Sequence, residues 1–300
     1  MSDMKPTKTF VYKSVGNLDL SLDLYLPDEP RQIPVVLWFH GGGLLQGRRD
    51  QLAAWMRKGV QTYKYACVSA DYRLAPQTGV QDIFEDVKDC VNFIRNDLSA
   101  NVDEGVLDVT RLAVSGSSAG GYLALLAGLY ADPKPTVIIP IYPITDPLGS
   151  FFTNPQPPAL GRYLASKEEM ARYLDPKAEP VANCGPLPED ARMHMYSRML
   201  DAANLAELLG ISDPKVAAPF RISRCVYQHR LPPAYIVHGD ADSAVGVEQA
   251  DEVVGAMLGC GIEVQYERSH GKDHFLDTGA DYENDAFFSF MLKHLDSRQE

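Results

Sequence analysis

A chain of 300 residues, 45% hydrophobic and 23% charged, has material for a large core and reads as globular rather than disordered or fibrous. Its 40 acidic residues outnumber 28 basic ones, and the formal net charge of −12 argues against nucleic acid or an anionic membrane as a partner. No apolar run reaches the length of a membrane span, Met1–Pro6 lack the apolar segment of a secretory signal, and Ser297–Glu300 carry no peroxisomal or prenylation signal, so a cytoplasmic location is expected.

In chain order, Thr9–Tyr12 and Leu20–Leu26 read as an antiparallel pair around the turn Gly16-Asn17. Val35–Phe39 is a continuous apolar run, as expected of a strand buried on both faces. Tyr65–Ala70, Arg111–Ser115, Val137–Ile141 and Ala234–Val237 repeat that pattern, while Ile262–Glu267 alternates and suits a strand nearer an edge. Between them, Ile83, Phe84, Val87, Val91, Ile94 and Leu98 trace one helical stripe. Val253, Val254, Met257 and Leu258 trace another, and Phe287, Phe290 and Met291 a third. Alternating strands and helices predict an α/β protein with a largely parallel sheet covered on both faces. The stretch 148–231 breaks the rhythm: it starts Pro-rich, shows helical patches at Lys167–Leu174, Asp190–Leu200 and Ala202–Leu209, and has no clear strand. It is expected to be a helical cap inserted into a body formed by 1–147 and 232–300. With ten basic and nine acidic residues it is nearly neutral, and its Phe151, Phe152, Tyr163 and Tyr196 are candidates to line an apolar substrate pocket.

The chemistry centres on Gly116-Ser117-Ser118-Ala119-Gly120, between an apolar strand and the helix-forming run from Tyr122. A G-x-S-x-G in that setting is a nucleophile elbow, a turn so tight that its flanking positions tolerate little side chain. It would hold Ser118 strained and exposed at a helix N-terminus, where developing negative charge is favoured. A serine hydroxyl needs a base, the base an orienting carboxylate, and the reaction donors for the oxyanion. The expected order is Ser, acid, His. The acid is Asp240 or Asp242 in His238–Val245; the base is His270 or His274 in Ser269–Phe275. Upstream, His40-Gly41-Gly42-Gly43 follows the strand ending at Phe39, and consecutive glycines let backbone N–H groups face a cavity.

His40–Gly43, Asp71-Tyr72-Arg73-Leu74-Ala75-Pro76 and Gly116–Gly121 resemble, in order, the three signature stretches of the hormone-sensitive-lipase-like carboxylesterases among the α/β-hydrolases. The resemblance runs from about Leu22 to Leu295, most of the insertion excepted. It implies the α/β-hydrolase fold, with a mostly parallel sheet of about eight strands and a helical cap. It also implies Ser118 as nucleophile, the N–H groups of Gly42, Gly43 and Ala119 as oxyanion hole, and Gly41 as a turn-former. Asp242 fits the group's Gly-x-x-Asp-x-x-Val pattern through Gly239 and Val245, and His274 its ending before Phe275, so the resemblance favours these two over Asp240 and His270. The group commonly has Asp before the nucleophile, where Ser117 stands here.

The expected activity is serine hydrolysis of a carboxylic ester through an acyl-enzyme. A lactone or carrier-bound thioester of secondary metabolism is the neighbouring alternative, and a non-catalytic small-molecule receptor on the same scaffold is the alternative from another class. No metal spacing, P-loop or dinucleotide fingerprint is present, so no metal or cofactor is expected. The partner is a small molecule; a homodimer is compatible with the sequence. His238 is expected to pack below the site, Asp71–Pro76 to buttress the glycine loop, and Asp23, Asp28 and the acids of 82–89 to be solvated. Cys67, Cys90, Cys184, Cys225 and Cys260, odd in number and scattered, read as reduced thiols.

Overall fold

In a computed structural model, residues 4–279 and 281–296 are described. Residues 1–3 and 297–300, which entered the reading of the chain ends, lie outside the described residues.

The chain order is β1 (Lys8–Val15), β2 (Leu18–Tyr25), β3 (Ile33–Phe39), α1 (Ala54–Tyr63), β4 (Ala66–Ala70), α2 (Val80–Asn96), β5 (Leu107–Ser117), α3 (Ala119–Tyr130) and β6 (Val137–Ile141). Then follow α4 (Ser150–Thr153), α5 (Lys167–Leu174), α6 (Met195–Ala202), α7 (Leu205–Leu208), α8 (Pro214–Ala217) and α9 (Ile222–His229). The chain returns to the sheet with β7 (Ala234–Gly239), α10 (Glu248–Gly259), β8 (Val264–Ser269) and α11 (Asp285–Asp296). The eight strands form one sheet in the order β1-β2-β4-β3-β5-β6-β7-β8. β1–β2 and β2–β4 pair antiparallel; every other neighbour is parallel. Among the described residues no helix is long and apolar enough to cross a membrane.

The continuous apolar runs are explained by burial on both faces, since successive side chains alternate across a strand. Val36 and Trp38 of β3 join α1 and α11 through Trp55, Met56, Phe287 and Met291. Val35, Leu37 and Phe39 join α2, α3 and α10 through Ile83, Leu123 and Val253. β8 lies at the edge and is only half buried, hence its mixed composition. α3 is buried from Ala119 to Leu129, so it is apolar all round rather than striped. Leu258 departs from the expected stripe: it is exposed on the outer side of α10.

No strand interrupts 148–231, and α5 coincides with the expected patch. The last part of that stretch packs on the body. Tyr122 Oη donates to the Phe220 carbonyl (2.7 Å), Tyr130 Oη to that of Pro219 (2.8 Å), and Lys134 Nζ to those of His229 and Arg230 (2.6 Å each). Two acids expected to be solvated are buried and paired, as a carboxylate withdrawn from water must be. Asp23 accepts from Thr9 Oγ1 (2.6 Å) and faces Arg49 (3.0 Å); Asp86 is held by Lys13 (2.7 Å) and Arg73 (2.8 Å).

The order reverses at β3: β4 is laid on one side of it and β5 on the other. The loops leaving the C-terminal ends of β3 and β5 therefore meet at a topological switch point, where such sheets bind ligands.

Candidate active site

Those two loops are the glycine loop and the elbow. Ser118 has φ 57° and ψ −115°, a conformation costly for a side-chain-bearing residue. Its neighbours explain how it is held. A Cβ on Gly116 would meet the Gly120 carbonyl oxygen at 2.3 Å, and one on Gly120 the Phe39 carbonyl oxygen at 1.9 Å. Only glycine at both positions lets α3 start this close to β3 and β5. Ser118 N–H donates to the Ile141 carbonyl (2.8 Å), fixing the turn to the end of β6.

The glycine loop lies against the elbow: a Cβ on Gly41 would stand 3.2 Å from Ser118 Cβ. Gly42 (φ 108°) and Gly43 (φ 67°) hold conformations that favour glycine, and added Cβ atoms would meet the Gln46 carbonyl oxygen at 2.1 Å and the Tyr196 ring at 2.4 Å. The loop is braced from behind. Tyr72 stacks on the buried His40 (4.3 Å, 14°), Tyr72 Oη donates to the His40 carbonyl (2.8 Å), and Ala75 N–H to that of Leu44 (2.8 Å). Asp71–Pro76 is thus a buttress, as read from the sequence. Burial holds the His40 imidazole below its ordinary pKa, so it is neutral there.

His274, after β8, brings Nδ1 to 2.7 Å from Asp242 Oδ2, after β7. Both side chains are buried. Asp242 Oδ1 accepts from the N–H groups of Ala244 and Val245 (2.8 Å each). Burial opposes its charge, but the imidazoles of His274 and His238 hold the carboxyl well below the usual range. An ionised Asp242 accepts the Nδ1–H of His274, leaving Nε2 as the basic atom. Asp240 and His270 form a separate pair (2.9 Å) with the His270 side chain 97% exposed, and neither lines a cavity with Ser118.

A narrow cavity of about 30 Å³ is lined by Ser118, His274, Gly42, Gln46, Tyr196 and Phe275, among others. Through Gly42, Gln46, Arg162, Met193 and Phe275 it adjoins a chamber of about 390 Å³ that includes Trp38, Ser117, Tyr142 and Asp277. Of the four aromatics expected at the substrate, Tyr196 is at Ser118, its Oη donating to the Ala244 carbonyl (2.7 Å). Tyr163 lines an outer cavity instead. Phe151 and Phe152 line none of these three; they pack edge to face (5.2 Å), with Phe152 inside the main core. Their side chains point where apolar area is covered, which aromatic composition alone does not indicate.

Three neighbours were not legible in the sequence as site residues. Tyr142 lies beside the His274 ring (4.4 Å) and donates to Asp277 (2.6 Å), which also accepts from Trp55 Nε1 (3.2 Å). Burial raises the Asp277 carboxyl above its ordinary value, against the bonds from Tyr142 and Trp55. His238 Nε2 lies 2.9 Å from the Val245 carbonyl and 3.2 Å from Asp242 Oδ2, so this second imidazole touches the acid directly. Among the described residues, no group of three or more His, Cys, Asp or Glu could hold a metal ion.

An eight-stranded sheet with an elbow after β5, a glycine loop after β3 and an acid–His pair after β7 and β8 is the architecture of an α/β-hydrolase. Residues 22–155 match the BD-FAE family model. Methylphloroacetophenone synthase of Cladonia uncialis is 30% identical over 213 residues, covering 65% of this chain and 8% of that protein. Non-reducing polyketide synthase ausA of Aspergillus calidoustus is 25% identical over 321 residues, 91% of this chain and 13% of that protein. The chain thus spans a small part of the length of these relatives. Among solved structures, an α/β-hydrolase superfamily protein from Enterococcus faecalis superposes with a TM-score of 0.72 at 20% identity, covering 99% of this chain and 100% of the other. Thermogutta terrifontis esterase 2 phosphonylated by sarin superposes with a TM-score of 0.63 at 21% identity, covering 96% and 92%. The chain has the α/β-hydrolase fold.

Proposed function

We propose that the protein is a serine esterase of the hormone-sensitive-lipase-like type. The carrying observation is that Ser118, strained at the start of α3, shares a cavity with His274, whose Nδ1 is 2.7 Å from Asp242. His274 Nε2 takes the Ser118 hydroxyl proton as Oγ bonds to the ester carbonyl carbon. The N–H groups of Gly42, Gly43 and Ala119 receive the oxyanion. As the carbon–oxygen bond to the alcohol breaks, His274 returns the proton to the departing oxygen. Water then adds to the acyl-enzyme with His274 as base and releases the acid and Ser118. Residues 148–231 act as a cap over this site, their last part packing on the body, and the chamber of about 390 Å³ falls in the range of small-molecule pockets.

The likeness to stretches of polyketide synthases favours a second reading of the same machinery: the acyl group arrives as a thioester or leaves as a lactone. Five free cysteines suit a cytoplasmic setting. The test is a fluorophosphonate label with the modified residue mapped, followed by ester and thioester turnover. Labelling at Ser118 with a burst of p-nitrophenol from a p-nitrophenyl ester supports the reading. An unlabelled, folded protein that binds but does not turn over esters points to the receptor alternative.

A further inference from the structure

Arg162 stands where the cavities converge. It lines the narrow one with Ser118 and His274, the adjoining chamber, and an outer cavity of about 420 Å³. Its guanidinium lies over the ring of Phe275, 5.0 Å from the centroid and one residue from His274. Among the described residues no carboxylate pairs with it and no carbonyl accepts from its side chain. By contrast Arg48, which shares the outer cavity, is paired with Asp50 (2.5 Å). The outer cavity also holds His194 but no carboxylate, and neither does the narrow one. Among the described residues Asp277 is the sole acid lining any of the three, and its carboxyl is taken up by Tyr142 and Trp55.

The turn that carries the arginine is held in place, while its side chain is exposed. Leu160 N–H donates to Ser243 Oγ (3.1 Å), while Ser243 donates from N (2.7 Å) and Oγ (2.9 Å) to Asp273. The turn carrying Arg162 is thereby tied to the loops of Asp242 and His274. In a chain of net charge −12, an unpaired guanidinium fixed over a ring beside the base is a local exception to the field around it. Its planar fork suits a carboxylate or phosphate.

We propose that Arg162 binds an anionic group, carboxylate or phosphate, carried by the substrate beside its scissile bond. This rests on the reading of Ser118 as the nucleophile of an acyl-transfer enzyme.

Two matched pairs test it. Mono-p-nitrophenyl glutarate against p-nitrophenyl butyrate puts a carboxylate on the acyl side; butyryl-pantetheine phosphate against butyryl-pantetheine puts a phosphate on the departing side. The readout is the kcat/KM ratio of charged to neutral partner, for the native protein, Arg162→Met and Arg162→Lys. The ratio in at least one pair should fall about tenfold or more in Arg162→Met, be largely kept by Arg162→Lys, and decline with added salt in the native protein. The pair that responds identifies the source of the charge. Ratios within about twofold of native for both pairs in Arg162→Met would overturn the proposal. If the native protein turns over neither neutral substrate, the acyl-transfer reading has failed. Calorimetry of glutarate and pantetheine phosphate on Ser118→Ala and on Ser118→Ala/Arg162→Met then decides the anion question alone: equal affinities refute it, and affinity lost with the arginine supports it.

Discussion

His274 and Asp242 meet at 2.7 Å with both side chains shut away from water, although 32 positions separate them in the chain. An imidazole so placed has one tautomer in which Nδ1–H is donated and Nε2 is free, the form that takes a proton from a hydroxyl. Replacing Ser118 by Ala removes only the hydroxyl proposed as nucleophile. Hydrolysis of a p-nitrophenyl short-chain ester should drop by roughly four to six orders of magnitude, with the melting temperature unchanged or raised. Residual activity of a few per cent in clean protein would place the nucleophile elsewhere.

The two acid–His pairs separate cleanly by burial. His274→Ala and Asp242→Asn should each lower kcat/KM by three orders of magnitude or more, roughly. His270→Ala and Asp240→Asn alter an exposed pair and should stay within about twofold. A reversed ranking would transfer the roles.

Much of this was legible because its physical demands are local. The elbow requires Gly116 and Gly120 by direct steric exclusion, and the glycine loop requires positive φ at Gly42 and Gly43, so residue type alone marks them. Strands buried on both faces announce themselves as unbroken apolar runs. What was missed is long-range. Asp277 and Tyr142 meet across 135 positions with no spacing to betray them. Phe152 and Tyr196 look alike in sequence, yet one fills the core and the other borders Ser118.

Gly42→Ala should damage catalysis more than binding. A methyl group there meets a backbone oxygen at 2.1 Å, so the loop must shift and carry its N–H groups with it. Loss of one oxyanion donor costs about 2.7–4 kcal/mol in the transition state, or a factor of about 100 to 1,000 in kcat. A rise in KM with kcat intact would make the loop a substrate wall.

Asp242 also links stability to pH. Its folded pKa lies below the ordinary 3.8, so the native state keeps it ionised where the unfolded chain would protonate it. The contribution is present above the ordinary value and is lost as pH falls through it toward the folded one. The difference in melting temperature between native protein and Asp242→Asn should therefore be largest above about pH 5 and shrink on acidification below about pH 4. Other carboxylates are common to both proteins and cancel in the difference. A gap that widens below pH 4 would show that Asp242 is not held ionised.

The insertion's aromatics should divide by what they touch. Tyr196 presses its ring on Gly43, borders the narrow cavity, and is tied by N–H to Gln46 Oε1 (2.9 Å) and by Oη to Ala244. Tyr196→Phe keeps the ring and loses the tie; Tyr196→Ala opens space beside the reacting centre. The alanine variant should shift preference toward longer or branched acyl chains in a p-nitrophenyl ester series. The phenylalanine variant should keep the native ranking, because ring volume and not the hydroxyl shapes the cavity wall. Phe152→Ala leaves a void in the core and should cost about 3–5 kcal/mol of stability with the ranking unchanged. Fluorophosphonate labelling of Ser118 should persist in all three, since none alters a residue of the proposed triad. A changed ranking in Phe152→Ala would give that core residue a part in substrate choice; an unchanged one in Tyr196→Ala with lowered melting temperature would mean that Tyr196 controls stability rather than substrate choice.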